Sequence, residues 1–599
     1  MRTVVQERQW VVTDPAPQSF LSAHGALPRV VAQLLYQRGV REEDAIAAFL
    51  YPDYDAHRHD PFLFRDMAKA VDRLFAARER GEAILVHGDY DADGVSGAAV
   101  LEETLAALGC TVDTFIPHRE EDGYGFREAG LAYACEIGAR VIITCDCGIA
   151  NAATVVAANE SGIDVIITDH HLIPTDDAGT QQPPPAHAIL HPKVDGEAYP
   201  EKQLTGGGVA FKLAEALCLR DAERGDHTLA EGFSKWLLDA AAISTVADFG
   251  PLTGENRVIV RYGLVVLAKT RRLGLRKLYE VSGINPERIT PGTIGFQIAP
   301  RINAAGRIDH ASVALRLLRT NDPEEAAVLA DRLNATNIER QQLVMRANAE
   351  ALEQVGDLGD RHMLVVVGDW WPQGIVGLVA ARLVEHYHRP AIALTTLGGV
   401  VAGSGRSIAH FHIVQALDSV SQTLLSYGGH PQACGLKLRD AAQILAFREG
   451  LEAYARRTLT PADLLPTLAI DAELVLADLT MELVEHVEML QPYGIGNPTP
   501  RFMTRGLMVA DVRTMGRDNA HGRITVQDGT LRQQFICFRY ESICPNVRIG
   551  DTVDVVYELG INEWNGRRDV QAKIVDLRPT LSVIARSPRR GNPGHTSTK

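Results

Sequence analysis

Three aspartates spaced two residues apart follow an apolar run in the stretch ILVHGDYDADGVSG at residues 84–97. The carboxylates of Asp89, Asp91 and Asp93 repel one another at neutral pH unless a cation lies between them, and oxygen-rich clusters suit Mg²⁺ or Mn²⁺. His87 adds a possible nitrogen ligand. A polar turn and a Ca²⁺ loop are the alternatives, but the Ca²⁺ loop requires a later bidentate glutamate and helices on both sides. The stretch therefore predicts a Mg²⁺ or Mn²⁺ site.

Two further acidic strand ends follow the first along the chain. Asp146 comes after the apolar run VIIT, and Asp169, His170 and His171 come after the run VIIT of the next strand pattern. A single such residue would be unremarkable, because aspartate is a common helix N-cap. Right-handed crossovers, however, bring successive strand ends to one edge of a parallel sheet. Three acidic ends in succession, the third with histidines, favour two cations that share bridging carboxylates.

The residues around these clusters alternate between strand and helix patterns. The runs ILVH, TVDTFIP, VIITCD and DVIITDH are separated by helical patterns such as VSGAAVLEETLAALG and REAGLAYACEIG. Strands that alternate with helices of this length predict an α/β fold with a parallel sheet covered on both faces. The carboxyl ends of the strands are where such sheets bind ligands.

The next motifs are less specific. LTGGGVAFKLAEAL places glycines at a helix start, where backbone N–H groups could bind an anion or the glycines could serve close packing. Asp248 lies at the end of an apolar helix, where the helix dipole is adverse and a metal would make a carboxylate favourable. PRINAAGR, which contains Arg301, Asn303 and Arg307, predicts a phosphate-facing loop or a structural turn.

A long helical pattern with Asp322 as its N-cap predicts a rod between two domains. The second α/β unit after it contains GSGRS and GGHPQACG, which we interpret as glycine-rich loops. Ser404 and Arg406 are donors in the first, and His430 in the second. Glycine lets the backbone approach a phosphate, and arginine can bind one with two parallel hydrogen bonds. Two such loops predict that substrate lies in a cleft between domains.

Past Pro466 the pattern changes to short strands separated by turn residues, which predicts a small β-barrel such as an OB-fold. Its arginines and aromatic residues could bind the backbone and the bases of a single strand, although more than half of the rings are expected in the core.

Composition limits the classes of protein. With 599 residues the chain should form several domains, and 46% hydrophobic with 23% charged residues is typical of a soluble globular protein. No run reaches the roughly 18 apolar residues of a membrane span, and no signal peptide is evident, so we expect a cytoplasmic protein. The eight scattered cysteines lack zinc-site spacing and should be reduced. The net charge of -15 argues against broad nonspecific binding to nucleic acid but permits a local basic groove.

Together these motifs resemble those of the DHH phosphoesterases, a family named for the triplet that Asp169, His170 and His171 form here. The resemblance covers most of the chain, from GDYDADG, TCDCG, TDHH and TVADFGPL through PRINAAGR, GSGRS and GGHPQACG to YGIGNPTPRF. This ordered series is far more specific than the triplet alone. It is most similar to the branch of the family that degrades single-stranded DNA from its 5′ end.

The resemblance implies a single-stranded-DNA-specific 5′-to-3′ exonuclease of DNA repair and recombination, which uses two divalent cations, Mg²⁺ or Mn²⁺. Single-stranded DNA, a single-strand-binding protein and a helicase are the implied partners of a monomer that does not contact a membrane. The implied metal ligands are Asp89, Asp91, Asp93, Asp146, His170 and Asp248, and the implied catalytic residues are His171, Asp146 and Arg406. Substrate contacts are implied for Arg119, Arg307, Ser404, Arg406 and His430, to which our interpretation of PRINAAGR adds Arg301 and Asn303.

We expect the following domains: a helical N-terminal segment (1–60), a DHH catalytic domain (61–320), a connecting helix (321–358), a DHH-associated domain (359–460), an OB-fold-like domain (461–580) and a disordered tail (581–599). Two other classes of function stay open. A hydrolase of the same family that acts on pyrophosphate, short oligoribonucleotides or cyclic dinucleotides would not need the barrel, and its turnover would survive removal of residues 465–599. A noncatalytic replication scaffold would have lost ligands, and the complete carboxylate set argues against it.

Overall fold

A computed structural model describes residues 8–516, 519–564 and 566–580 of the chain. They form two compact units. The smaller unit contains the residues up to Gly39, Thr467–Met489 and the residues from Thr499 onward, and the larger unit contains Val40–Pro466 and Leu490–Pro498. The predicted disordered tail at 581–599 lies outside the described residues.

The N-terminal residues of the smaller unit form β1 (Gln9–Val12), α1 (Gln18–Ala23) and α2 (Arg29–Gln37). Strand β1 pairs in parallel with Thr467–Ile470 of the same unit. The predicted helical segment over residues 1–60 therefore also contains a strand, which the sequence did not predict. The run QWVV is too short to show a two-residue period, and its pairing partner lies far away in the sequence.

A parallel sheet lies at the centre of the first part of the larger unit, and its inner strands are buried on both faces, which explains their continuous apolar runs. The strands are β2 (Ala83–Gly88), β3 (Thr111–Phe115), β4 (Ala139–Cys145), β5 (Asp164–Thr168) and β6 (Ala188–Leu190). Their order is β3-β2-β4-β5-β6, so the chain passes from β2 to one side and then returns to the other. This change of direction at the carboxyl end of β2 is where such sheets bind ligands.

Helices with many small residues cover this sheet and pack closely on one another. A Cβ added at Gly97 would lie 2.9 Å from the Cα of Gly207, so the two helices that contain these glycines touch through their backbones. The helices are α3 (Glu43–Leu50), α4 (Met67–Arg80), α5 (Ala92–Ala107), α6 (Glu128–Glu136), α7 (Ala152–Glu160), α8 (Gly206–Glu223), α9 (Phe233–Trp236), α10 (Leu238–Ala247), α11 (Gly254–Ala268), α12 (Leu273–Ser282), α13 (Pro291–Thr293), α14 (Ala299–Ile308) and α15 (Ser312–Arg319).

The motif PRINAAGR is helix α14, so its interpretation as a loop or turn is wrong. Its proline lies in the first turn, where the missing N–H is tolerated. Ile302, Ala304 and Ala305 form a buried face that fixes the helix in the core.

The long helix α16 (Pro323–Val355) leads into a second α/β part of the larger unit. Its N-cap is Asp322, whose carboxylate accepts the backbone N–H of Glu324 at 2.9 Å. The elements that follow are β7 (Leu364–Gly368), α17 (Gln373–Tyr387), β8 (Ala391–Thr395), β9 (Ala402–Arg406), α18 (Ile413–Asp418), β10 (Leu424–His430), β11 (Ala433–Leu438) and α19 (Ile444–Thr458).

The motifs GSGRS and GGHPQACG form strand β9 and the hairpin β10–β11, so their interpretation as loops is wrong. A Cβ at Gly403 would lie 2.5 Å from Cδ2 of Leu394 and 2.8 Å from the carbonyl oxygen of Ala393. Glycine is therefore required here by close packing on the neighbouring strand β8.

The C-terminal strands form a barrel, in which Phe502, Phe535 and Tyr557 are buried. Strand β12 (Thr467–Ile470) pairs with β1, outside the barrel sheet. The elements that follow are β13 (Ala472–Glu473), α20 (Met481–Glu488), β14 (Arg501–Met515), β15 (His521–Asp528), β16 (Leu531–Phe538), α21 (Tyr540–Ile543), β17 (Thr552–Trp564) and β18 (Arg567–Pro579). The order is β13-β14-β15-β16-β18-β17, and pairing of β14 with β17 closes the barrel. The predicted fold class is confirmed, with the parallel sheet, the long helix, the second α/β domain and the barrel all present.

The segment 490–498 lies within the barrel sequence but packs on the larger unit. The buried guanidinium of Arg257 on α11 donates to the carbonyl oxygens of Leu490 at 3.1 Å, Gln491 at 2.7 Å and Pro492 at 3.3 Å. These bonds satisfy the buried charge and fix the segment to α11.

None of the helices in the described ranges is long and apolar enough to cross a membrane.

Candidate active site

The carboxyl ends of β2, β4 and β5 and the end of α10 meet at a pocket of about 280 Å³ in the larger unit. The side chains there are mostly charged or aromatic. The lining residues are Asp89, Tyr90, Asp91, Arg119, Tyr124, Asp146, His171, Ala247, Asp248, Phe249, Asn303 and Arg307.

The turn after β2 holds its aspartates through the start of α5. Asp91 is the N-cap and accepts the backbone N–H groups of Asp93 at 2.9 Å and Gly94 at 3.2 Å. A Cβ at Gly94 would lie 2.6 Å from the backbone nitrogen of Asp89, so only glycine lets the helix begin this close to the strand end. The local backbone therefore places these carboxylates at the pocket.

Asp93 is the anion that the glycine-rich start of α8 binds. Its carboxylate accepts the backbone N–H of Gly206 at 2.8 Å, that of Gly207 at 2.7 Å and the hydroxyl of Ser244 at 2.5 Å. The sequence left open whether the LTGGG glycines bind an anion or allow close packing. Both occur, because the same glycines also let α8 pack on α5.

Carboxylates and imidazoles from separate elements form three overlapping groups whose potential ligand atoms lie within 4.8 Å of one another. His170 is central, since its Nε2 lies 3.1 Å from Asp146 Oδ1, 3.4 Å from Asp248 Oδ2 and 3.7 Å from Asp93 Oδ2. Two groups share Asp146, and two share His170. The groups are Asp89–Asp91–Asp146, Asp93–His170–Asp248 and Asp146–His170–His171.

The electrostatics of this cluster fit divalent cations. Burial, and then repulsion by Asp93, Asp91 and neighbouring carboxylates, raises the pKa of Asp146 well above its usual range, and burial with the charges of Asp93 and Asp91 raises the pKa of Asp248 to about 8. Burial lowers the pKa of His170 to about 4, so the imidazole is a neutral ligand at neutral pH.

Unpaired polar atoms point to the same conclusion. Asp89 Oδ1, Asp146 Oδ1 and His170 Nε2 are buried without a hydrogen-bond partner. Leaving buried acceptors unsatisfied is costly, and bound cations would satisfy these three atoms. The donor set of carboxylates and imidazoles suits Mg²⁺ and Mn²⁺.

His171 is held as a cation by Asp169. Nδ1 of His171 lies 2.8 Å from Asp169 Oδ1. Burial opposes the imidazolium charge, but the hydrogen bond to Asp169 and its charge outweigh burial and raise the pKa of His171 to about 9. The hydroxyl of Tyr124 lies 3.1 Å from the same ring nitrogen. The sequence placed Asp169 at a strand end and in the triplet but gave it no role of its own, and it did not identify Tyr124.

Arginines from helices α14 and α16, from strand β9 and from the loop after β3 lie close enough for their charges to act on one another. Burial and the charges of Arg119 and Arg340 lower the pKa of Arg307 to about 10, and burial and Arg119 also lower the pKa of Arg406. Neither Arg307 nor Arg406 forms an ion pair with a carboxylate in the described ranges. A cluster of cations without an anionic partner is suited to bind phosphate.

The remaining predicted substrate residues differ in placement. Asn303 accepts the backbone N–H of Ala92 at 2.7 Å and lines the pocket. Ser404 accepts from Arg406 at 3.0 Å on β9. His430 is the last residue of the hairpin strand β10. Its partial burial and the nearby charge of His171 lower the pKa of its imidazole.

Two of the predicted residues make other contacts, and like Ser404, Arg406 and His430 they do not line the pocket. The guanidinium of Arg301 donates to Asn334 Oδ1 at 3.0 Å and to the carbonyl oxygen of Gln297 at 2.7 Å, so it holds α14 to α16 and does not line the pocket. His87 is buried against α6, where a Cβ at Gly130 would lie 2.6 Å from its Nε2. His87 is in none of the three ligand groups.

Arg340 is the cation that sequence reasoning missed. It projects from α16, and its guanidinium donates to Asn337 Oδ1 at 2.9 Å. In the sequence it is one of several charged residues in a long helical pattern. Only its approach to Arg307 in the fold distinguishes it from a solvated helix face.

The parallel sheet, the ligand cluster at its carboxyl edge and the second α/β domain define a phosphoesterase of the DHH class. In agreement, residues 83–245 match the N-terminal domain of the DHH family, residues 360–457 match the DHHA1 domain and residues 470–576 match the RecJ OB domain.

Relatives of known name make the assignment more specific. The single-stranded-DNA-specific exonuclease RecJ of Bacillus subtilis is 39% identical over 550 residues, which cover 91% of this chain and 67% of that protein. The protein of the same name from Dickeya dadantii is 34% identical, with 92% of this chain and 96% of that protein covered. The crystal structure of RecJ from Thermus thermophilus in complex with Mn²⁺ is 32% identical, with a TM-score of 0.80 over 96% of this chain and 80% of that one. The chain belongs to the RecJ family of exonucleases.

Proposed function

We propose that this protein removes nucleotides from the 5′ end of single-stranded DNA by hydrolysis with two divalent cations, Mg²⁺ or Mn²⁺. Its relatives are named single-stranded-DNA-specific exonucleases, and the Thermus structure contains Mn²⁺. The observation that carries the proposal is that carboxylates with unpaired buried oxygens converge at one pocket with arginines that form no ion pair within the described ranges. The first set suits cations and the second suits a phosphate.

The proposed ligand sets follow the overlapping groups. Asp89, Asp91 and Asp146 would hold one cation, and Asp93, His170 and Asp248 would hold the other, with Asp146 shared. When bound, the cations would lower the pKa of a water molecule and neutralise charge on the phosphate oxygens.

The other side chains supply charge and position. His171 is protonated at neutral pH because of Asp169, and a ring N–H can donate a hydrogen bond to the phosphate or the leaving oxygen. Arg406 and Arg307 would bind phosphate oxygens, and Asn303 would do so with its amide nitrogen, since its oxygen is used by Ala92.

The proposed 5′ polarity assigns Arg119, Arg307, Ser404, Arg406 and His430 to the terminal phosphate. Burial and the charge of Arg119 lower the pKa of Arg406, which supports placing both guanidinium groups near one anion. Because neither Arg307 nor Arg406 forms an ion pair with a carboxylate in the described ranges, a terminal phosphate would compensate their charges.

We also propose a role in DNA repair and recombination in the cytoplasm, as a monomer. All eight cysteines carry free thiols, which is typical of a reducing compartment. An enzyme restricted to single strands depends on an activity that opens duplexes, so a helicase and a single-strand-binding protein are the proposed partners.

Digestion of single-stranded DNA labelled at either end, with and without Mn²⁺, tests the proposal. We expect metal-dependent release of the 5′ label as mononucleotide, and little cleavage of duplex DNA or RNA. Asp146→Asn should lower kcat by at least about a thousandfold, because it removes the ligand shared by both cations, while strand binding persists. Asp331→Asn on the exposed face of α16 is the matched control. Initial release of the 3′ label, or normal turnover by Asp146→Asn, would disprove the assignment.

A further inference from the structure

Phe249 occupies a backbone position that usually belongs to glycine. Helix α10 ends with Asp248 as its C-cap, and Phe249 follows with φ of 57°. The N–H of Phe249 donates to the carbonyl oxygen of Val246 at 3.4 Å, and the N–H of Gly250 donates to that of Thr245 at 2.8 Å. This is the Schellman pattern, whose left-handed residue is commonly glycine because a Cβ is disfavoured there. A bulky residue at this position is therefore a conformational outlier.

Packing does not explain the phenylalanine either. The side chain of Phe249 is 73% exposed, so burial of the ring returns little free energy to offset the backbone strain. The ring lines the same pocket as the carboxylates and Arg307. Strained residues that the fold does not require are concentrated at sites of function.

A second exposed ring lies on the element that packs against α10. Phe296 is 83% exposed and belongs to the π-helical turn Ile294–Ile298 that precedes α14. The flanking residues Ile294 and Ile298 are buried, so the turn is anchored and presents the ring to solvent. π-Helical turns are frequent at functional sites.

We propose that Phe249 and Phe296 form a platform on which nucleobases of the single strand stack beside the reacting phosphate. This proposal rests on the proposed function and adds the base contacts of the same site. Arginines and carboxylates of the pocket address the phosphate, whereas the platform addresses the flat faces of the bases. Every base has such a face, so stacking would bind the strand without preference for sequence.

Strands with and without bases test the platform. We compare kcat/KM in Mn²⁺ for 5′-phosphorylated strands that carry either normal nucleotides or abasic tetrahydrofuran units at the first few positions. The kcat/KM of wild type should be about tenfold lower on the abasic strand than on the intact strand. Relative to wild type, Phe249→Ala should lower kcat/KM about tenfold on the intact strand but little on the abasic one. Phe296→Ala should show the same pattern when the abasic units replace the nucleotides that stack on Phe296. Phe249→Tyr keeps a ring that can stack and should therefore retain the difference in kcat/KM between the intact and the abasic strand.

Two further variants separate binding from folding. Phe249→Gly should lose activity like Phe249→Ala yet melt above wild type, because glycine relieves the left-handed strain. Tyr51→Ala removes a ring that is 66% exposed but does not line the pocket. It should change kcat/KM for neither strand.

If Phe249→Ala lowers kcat/KM equally on intact and abasic strands, or lowers it on neither, the platform is overturned. A melting temperature of Phe249→Gly below that of wild type would do the same, since the ring would then serve the fold. Absence of Mn²⁺-dependent cleavage by wild type would instead contradict the proposed function. In that event, the Kd of each strand is measured by fluorescence anisotropy in EDTA. The same ratios between intact and abasic strands are expected for affinity. Equal losses of affinity by Phe249→Ala on both strands would refute the platform.

Discussion

Replacing Asp248 with asparagine should stabilise the metal-free protein while it removes the activity. Burial and the charges of Asp93 and Asp91 raise the pKa of Asp248 from 3.8 to about 8. At neutral pH the carboxyl is then protonated in the folded metal-free protein and ionised in the unfolded chain. A carboxyl of this kind has no effect on stability below pH 3.8 and destabilises the fold increasingly as the pH rises towards about 8. Asparagine cannot ionise and removes this loss.

The magnitude follows from the size of the shift. Roughly three pH units separate the unfolded pKa from neutrality, which at about 1.4 kcal/mol each gives an upper value of about 4 kcal/mol. The side chain of Asp248 is 35% exposed, and solvent screening reduces this value to about 2 kcal/mol. In a unit of this size, that change raises the melting temperature by about 2–4 °C.

Thermal unfolding in EDTA across a pH series measures the effect. Asp248→Asn should melt above wild type at about pH 7 to 8. The two proteins should converge near pH 4. Adding Mn²⁺ should raise the melting temperature of wild type and reverse the order, because the cation binds only the folded state. Asp331→Asn should match wild type throughout. If Asp248→Asn melts at or below wild type in EDTA at about pH 8, the repulsion between these carboxylates is not a feature of the folded protein.

Three more outcomes are expected. Binding of Mn²⁺ near neutral pH should release protons, because Asp248 must ionise to bind the cation. Calorimetry in buffers of different ionisation enthalpy should show this release, and a binding heat that does not depend on the buffer would contradict Asp248 as a ligand. Arg307→Gln should lower kcat/KM at least about tenfold for strands with a 5′ phosphate and much less for strands with a 5′ hydroxyl, and an equal loss would exclude a terminal-phosphate role. In Gly207→Ala the new Cβ would lie 2.6 Å from Ser244 Oγ and would displace the hydroxyl that donates to Asp93. This change should weaken Mn²⁺ binding about tenfold, and an unchanged affinity in a Mn²⁺ titration would contradict it.

The carboxylates were predictable because two local patterns coincide. Asp89, Asp146 and Asp169 each follow a continuous apolar run, and parallel strands joined by right-handed crossovers bring such run ends to one edge. The inference needs only residue order and a general rule of sheet topology. That these groups meet within ligand distance is the finding on which the proposed nuclease chemistry depends.

Features that depend on distant partners were not predictable. Arg340 is recognisable only from its approach to Arg307, and strand β1 only from its pairing with Thr467–Ile470. The glycines of GSGRS were misassigned to a loop, because glycine is demanded equally by a turn and by close packing such as that of Gly403 on Leu394. In each case the deciding contact comes from residues that no local pattern connects.

The bonds between Arg257 and the segment 490–498 determine how the barrel can be removed. The polypeptide passes between the two units after residues 39, 466, 489 and 498, so a simple C-terminal truncation does not follow the division of the fold. Deletion from residue 465 would strip a buried guanidinium of three carbonyl acceptors, a loss worth several kcal/mol. Inactivity of such a truncated protein would reflect damage to α11 rather than a need for the barrel in catalysis. A barrel-free nuclease must carry residues 490–498 with it, re-joined by a short linker to the catalytic half.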